Sequence, residues 1–463
     1  MQGKSRTKEK LHMRRLLVIV FVKLCLLSGV VFAERDVTQL RSNIMPVVTP
    51  VLPPKIDSGD TSWILVSSAL VMLMTPGLAF FYGGLVKRKN VLGILMQCFI
   101  VLSALSIQWV LFGYSLAFAP GKGFWGGFGW FGLNGVGLEP YADYSATIPH
   151  QAFMIFQAMF AVITPALIIG AFAERMKFSA FLIFMLLWAT FVYDPIAHWV
   201  WGVGGWLKNL GALDFAGGTV VHINAGIAAL VTAIVIGKRT CYDKYSSPPH
   251  NLPFSVLGAA LLWFGWFGFN AGSALGANGL AVNAFVVTNT AAAAAALTWA
   301  LLDWKFNGRP TMLGTVSGAV AGLVAITPAA GFVGVGASIT IGIGVSVFCF
   351  IAVGFIKRRL GYDDSLDAFG IHGIGGIWGA LATGLFAAKS INPGGADGFF
   401  FGNPRQLWIQ FIAVATTITY AFIATYVLYT LVDKVIGVRV AEKEEAMGLD
   451  LTQHNERAYT MLE

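Results

Sequence analysis

The chain has 463 residues, 56% hydrophobic and only 12% charged, with a formal net charge of +8 and a mean hydropathy of +0.71. A soluble domain carries about 25% charged residues, so these values exclude a soluble enzyme or binding module and define a polytopic, all-α integral membrane protein. The excess of positive charge is not gathered on a soluble module, which excludes a nucleic-acid-binding reading. Its spacing serves topology instead.

In chain order, residues 1–33 read as a secretory signal peptide, with a retained anchor helix as the alternative; either delivers residue 34 to the outer side. Lys4, Arg6, Lys8, Lys10, Arg14 and Arg15 precede an apolar run from Leu16 to Phe32 that closes at Ala33. Residues 34–60, rich in proline and polar groups, form a short extracytoplasmic lead. Eleven apolar stretches follow, each near the roughly 20 residues that span a bilayer core: 61–86, 91–119, 150–173, 178–196, 215–237, 253–271, 281–304, 312–328, 333–356, 367–388 and 405–433. They make up a membrane domain over 61–433, and residues 434–463 are left as a tail.

The basic residues alternate with the stretches. Lys87-Arg88-Lys89, Arg175 with Lys177, Lys238-Arg239 with Lys244, Lys305 with Arg309, Lys357-Arg358-Arg359, and Lys434 with Arg439 all follow odd-numbered helices. The even-numbered ends hold only Lys122, Lys208 and Lys389, with Arg405 opening the last helix. The positive-inside rule then predicts an outer N-terminus and a cytoplasmic tail. Helices one to five and six to ten would be two inverted five-helix repeats, with one extra helix at the end, an architecture recurrent in transporters. The cysteines Cys25, Cys98, Cys241 and Cys349 show no paired spacing, and neither a metal-ligand set nor a disulfide framework follows from them.

Two histidines stand out. His222 lies on the fifth helix of the first half, after Asp214, and His372 on the fifth helix of the second, after Asp367. An ionisable group at membrane depth is costly and marks a substrate path or proton relay by default. At about 1.5 Å of rise per residue, the two lie within roughly 10 Å of each other along the membrane normal. Paired, they would share a hydrogen bond and offer one donor and one acceptor to a small neutral guest. Packing histidines bonded to helix carbonyls, and axial ligands of a haem, are the competing readings. The acidic residues Asp194, Asp214, Asp303 and Asp367 sit near helix ends, where capping by a carboxylate is expected. No mid-span group could hold a metal, and no catalytic signature stands in a credible context, so an enzyme is disfavoured.

Aromatic side chains group on helix faces toward the predicted outer side. Phe156 and Phe160 are four apart; Trp266, Phe269 and Ser273 share one face of the sixth helix; Trp201 follows the fourth. An interfacial aromatic belt is one reading, and a cation–π cage closed by one hydroxyl is the other.

The run Thr75-Pro-Gly-Leu-Ala-Phe-Phe-Tyr-Gly-Gly84, the segment from Asp214 through His222 and Asn224 to Gly237-Lys238-Arg239, and Trp266-Phe-Gly-Phe-Asn-Ala-Gly-Ser273 carry a resemblance. So do Asp363-Asp-Ser-Leu-Asp-Ala-Phe-Gly-Ile-His372-Gly and the tail segments Gly437-Val-Arg439 and Gly448-Leu-Asp450. From about residue 60 to 460 the chain resembles the ammonium transporter family of Amt, Mep and Rhesus-type proteins, with Asn455 standing where a glycine is more usual. The resemblance implies an outer ammonium recruitment site at Phe160, Trp201 and Ser273, supported by Asp214. It further implies a pore gate of Phe160 stacked with Phe269, a twin-histidine pore of His222 and His372, and support of the inner end of the tenth helix by Asp367. It implies no cofactor. A homotrimer in the inner (plasma) membrane, and a PII-type signalling protein at the cytoplasmic mouth, follow from the same likeness. The function implied is ammonium uptake, with an ammonium sensor and a neutral ammonia or carbon dioxide channel as alternatives. Sensors of this kind tend to carry a fused signalling domain, and only about thirty residues follow the eleventh stretch.

Overall fold

A computed structural model describes residues 55–240, 242 and 248–459. The expected signal peptide, residues 34–54 of the lead, and Cys25, Cys241 and Lys244 lie outside them. From Ile56 onward the described chain is one unit, and its regular elements are helices joined by turns, with a lone β-bridge between Met176 and Arg439. In order these are α1 (Ser58–Leu85), α2 (Arg88–Phe118), α3 (His150–Phe172), α4 (Phe178–Leu210), α5 (Gly218–Ile236), α6 (Leu252–Gly272), α7 (Gly279–Asn307), α8 (Met312–Ile326), α9 (Val335–Leu360), α10 (Phe369–Phe386) and α11 (Pro404–Ile436). Two short helices close the chain, α12 (Glu442–Met447) and α13 (Leu449–His454).

Among the described residues ten of these helices are long and apolar enough to cross a membrane, one fewer than the sequence suggests. The exception is α8, whose 15 residues rise only about 22 Å against a core of about 30 Å. The chain continues from it as irregular but fully buried backbone over 327–333. Such backbone is tolerable at membrane depth only where protein covers it. Local chemistry sets the helix ends: Asp57, Asn251, Asn278 and Thr311 each accept a backbone N–H at the start of α1, α6, α7 and α8.

Helices α3 and α5 are almost wholly buried, whereas α9 and α11 present most of their surface outward. Close packing is made possible by glycine. Along α6, a Cβ on Gly258 would meet Phe81 N at 2.2 Å, one on Gly265 the Leu70 carbonyl at 2.6 Å, and one on Gly268 the Ser67 carbonyl at 2.8 Å, so α1 and α6 touch backbone to backbone. A second such crossing joins α5 to α10: a Cβ on Gly226 would lie 2.2 Å from Gly373 N, and one on Gly376 3.0 Å from His222 Cβ. The two contacts pair the first and the fifth helices of the two five-helix sets expected from the sequence. Wide π turns interrupt α4 (Ala189–Tyr193), α5 (Gly218–Ile223), α9 (Ala352–Ile356) and α10 (Phe369–Gly373), the fourth and fifth helices of each set. A fifth π turn lies in α2, at Trp109–Gly113.

At the end of the bundle that receives the C-terminal segment, buried ion pairs tie the helices together. Arg239 binds Asp363 at 2.9 Å and Glu174 at 2.7 Å. Arg175, fully buried, donates to the carbonyls of Ala171, Ala173 and Asp363. Arg439 pairs with Glu445 at 2.7 Å, and Asp450 accepts the Gly93 N–H at 2.8 Å.

Candidate functional site: a ring-lined passage ending at two histidines

The site is built where α3, α5, α6 and α10 meet. Phe160 of α3 lies against Phe269 of α6 with ring centroids 4.2 Å apart. Trp201, where α4 breaks before Gly202, meets Phe160 edge-on at 5.9 Å. Below Phe269 come Trp266 at 5.5 Å and His222 at 6.1 Å, and His222 stacks on His372 with centroids 5.4 Å apart and planes 17° from parallel. The five expected residues Trp201, Phe160, Phe269, His222 and His372 are thus joined in one column of ring contacts. Ser273 enters through Phe269, to whose carbonyl its hydroxyl donates at 2.9 Å, which leaves the hydroxyl oxygen free to accept.

The two imidazoles reach each other because of the glycine crossing. With no Cβ at positions 226 and 376, α5 and α10 approach until the histidines, each at the π turn opening its helix, face one another. The hydrogen bond expected between them is absent. The ring planes are 17° from parallel with centroids 5.4 Å apart, and neither nitrogen of His222 nor Nδ1 of His372 has a protein partner. That leaves neither ring as a packing histidine bonded to a helix carbonyl through these atoms. The 5.4 Å stacking also leaves no room for a macrocycle between them, against the haem reading.

Beside the pair is a narrow cavity of about 10 Å³, room for roughly one water molecule. Its walls are apolar (Leu78, Ile163, Val221, Leu262 and Trp266 among them) apart from the two histidines. Trp266 is held in place by donating its indole N–H to Thr327 Oγ1 at 2.8 Å. His372 also borders a wider cavity of about 200 Å³, together with Tyr82, Ser317, Ser365 and Asp367. The twin histidines therefore stand between an apolar constriction and a more polar vestibule.

Asp214 is a cap rather than a ligand. Its carboxylate accepts the N–H groups of Gly217, Gly218, Thr219 and Val220 at 2.6–3.2 Å, and the Thr219 hydroxyl. Burial raises its carboxyl above the ordinary value, opposed by these bonds. Since its oxygens are occupied, Asp214 reaches the mouth only through its backbone carbonyl, which accepts the Trp201 indole N–H at 2.8 Å. The helix α5 accordingly starts at Gly218, three residues later than the apolar pattern indicates.

On α10 the corresponding cap is Asp364, not the expected Asp367. Asp364 accepts the Ala368 and Phe369 N–H groups at 3.1 and 2.8 Å and lies eight residues before His372, as Asp214 lies eight before His222. Burial pushes its carboxyl up to about 6, against the Lys357 ammonium. Asp367 instead adopts a left-handed conformation, with φ of 60°, and pairs with Lys357 at 2.6 Å on the vestibule wall. The only sequence cue to Asp364 was this eight-residue spacing shared with Asp214.

A helical membrane bundle with a column of aromatic contacts leading to a narrow apolar cavity lined by two imidazoles has the build of a channel or transporter for a small molecule. The family model of the Ammonium Transporter Family matches residues 62–459, and the chain belongs to that family. It is 59% identical over 401 residues to an ammonium transporter of Bacillus subtilis, an alignment covering 87% of this chain and 98% of the relative. It is 51% identical over 404 residues to the ammonium transporter Amt1 of Archaeoglobus fulgidus, covering 87% and 99%. Among solved structures it is similar to Mep2 of Candida albicans, at 38% identity and a TM-score of 0.80 over 87% of this chain and 90% of that one. The protein is thus a multi-pass membrane transporter-family member rather than an enzyme.

Proposed function

We propose that this protein takes up ammonium by gathering the cation at the outer aromatic mouth, removing a proton, and passing neutral ammonia along the histidine-lined passage while the proton moves separately. One observation carries the reading: the column from Trp201 through Phe160 and Phe269 leads directly to two stacked imidazoles in an otherwise apolar constriction.

The energetics require deprotonation. Moving an ammonium-sized ion into a low-dielectric interior costs of order 20 kcal/mol by the idealised Born estimate. A cation–π contact returns only ~0.5–2 kcal/mol. The mouth can therefore collect the cation but cannot carry it through a dry passage. Ammonia, being neutral, avoids most of the penalty, and His222 and His372 offer unpartnered nitrogens to it and to the proton. Potassium, of similar size, has no proton to lose and is rejected. In this reading Trp201, Phe160 and the Ser273 hydroxyl recruit, Phe160 with Phe269 gates, and Asp214 supports the mouth through Trp201.

The paired α1–α6 and α5–α10 crossings and the matched π turns support two inverted five-helix repeats, with α11 added and α8 completing its crossing through the buried segment 327–333. With basic loops following the odd-numbered helices, the Trp201 mouth faces outward and the C-terminal segment lies in the cytoplasm. There a PII-type protein would meet it, in a homotrimer of the inner membrane.

The test is membrane current in proteoliposomes given an ammonium pulse. A transporter of this kind gives a current that potassium does not inhibit, whereas a sensor or a neutral-gas channel stays silent. Replacing both His222 and His372 by leucine should abolish that current; an unchanged, potassium-insensitive current in the double variant would sink the relay.

A further inference from the structure

The segment that places Asp214 is itself held from outside the passage, by two glutamines of α11. Gln410 is fully buried, and its amide is completely engaged: Oε1 accepts the Leu213 N–H at 2.7 Å, and Nε2 donates to the Leu213 carbonyl at 2.8 Å and the Ala380 carbonyl at 3.0 Å. One turn earlier, Gln406 donates to the Gly211 carbonyl at 3.0 Å and toward Gln410 Oε1 at 3.4 Å. The side chain fits because Gly384 faces it: a Cβ there would lie 2.9 Å from Gln410 Cγ.

We infer that Gln410, backed by Gln406, is a positioning residue for cation recruitment. The chain of bonds runs from the Gln410 amide to Leu213, from there to the adjoining Asp214 carbonyl, and from that carbonyl to the Trp201 indole N–H. The same amide grips α10 at Ala380, two turns beyond His372. A single side chain thereby fixes the mouth segment relative to the helix that carries one of the two histidines. Its effect falls on binding rather than on conduction, because Trp201 sits at the mouth while the imidazoles are set independently by the Gly226 and Gly376 crossing. No apolar side chain reproduces it. A glutamate keeps the acceptor for Leu213 N–H but loses both donors.

This inference rests on the recruitment reading above, and the experiment separates the two. Ammonium-concentration dependence of the current is measured in proteoliposomes of the full chain, the variants Gln410→Met, Gln410→Glu, Gln406→Leu and Trp201→Leu, and the double variant Gln410→Met with Trp201→Leu. Losing the hydrogen bonds to Leu213 should raise the half-saturating ammonium concentration of Gln410→Met about tenfold, with maximal current held within about twofold. Gln406→Leu should shift it in the same direction but less. In the double variant the half-saturating concentration should equal that of Trp201→Leu alone, because Gln410 acts through Trp201. Two independent shifts that multiply, or a fall in maximal current at unchanged half-saturation, overturns the inference. If Gln410→Met does not fold, Gln410→Glu is judged by the same cycle with Trp201→Leu. Absence of ammonium current in the unaltered protein would instead defeat the proposed function and leave the bonding of Gln410 as a purely structural feature.

Discussion

Trp201, the recruiting side chain under the proposed function, has little freedom. Its indole N–H is held by the Asp214 carbonyl and its ring meets Phe160 edge-on, so the ring is preorganised before any cation arrives. Removing it should cost the cation–π contact, worth ~0.5–2 kcal/mol. Trp201→Leu is therefore expected to raise the half-saturating ammonium concentration by about 2- to 30-fold, read from current against concentration; a variant that keeps the unaltered value would remove Trp201 from the mouth. Position alone singled out His222 and His372, since an imidazole at mid-span is conspicuous, whereas spacing left Trp201 between an aromatic belt and a cation–π cage and only the family resemblance assigned it to the mouth. Asp364 was not legible in the same way, because three carboxylates crowd 363–367 and only the folded turn decides which one meets the free N–H groups.

Between elements, the decisive feature is the crossing of α5 and α10. A side chain at Gly226 or Gly376 must push the two helices apart, which costs about 1–3 kcal/mol of packing strain and separates the imidazoles. Gly226→Val and Gly376→Val should each lower the thermal midpoint and suppress ammonium current. Gly336→Ala, where an added Cβ meets nothing within 4 Å, should change neither. Equal behaviour of all three variants would refute the crossing as the device that pairs the histidines. Sequence periodicity places a histidine on each helix, but fifty-four glycines do not say which of them face a partner backbone.

Across the whole molecule, the buried ion pairs at the C-terminal end join parts of the chain far apart in sequence. Burial raises the Glu174 and Asp363 carboxyls, but Arg239, with Arg175 at Asp363, outweighs it and holds both below the usual carboxylate range. A carboxylate depressed in the folded state adds stability that is present above its unfolded value, about 4, and is lost as pH falls through its lower folded value. Arg239→Ala leaves buried Glu174 without its cationic partner and Asp363 with Arg175 alone, and should cost roughly 3–5 kcal/mol near pH 7. The cost should shrink below about pH 4, measured as the difference between unfolding midpoints of variant and unaltered protein in detergent. A penalty that stays constant down to pH 3 would show that Arg239 acts by packing alone.

Composition and hydrophobic pattern by themselves determined that this is a helical membrane protein, where most of its helices begin and end, and which side chains are out of place in hydrocarbon. Those properties depend only on local length, charge and hydropathy. Tertiary structure decided which carboxylate caps α10, that the histidines meet without bonding each other, that α8 stops short and hands over to buried irregular backbone, and that two glutamines of α11 bind the segment leading into Asp214. Each of these depends on which backbone groups are left without partners when distant helices close on one another, and no window of sequence contains both sides of such a contact.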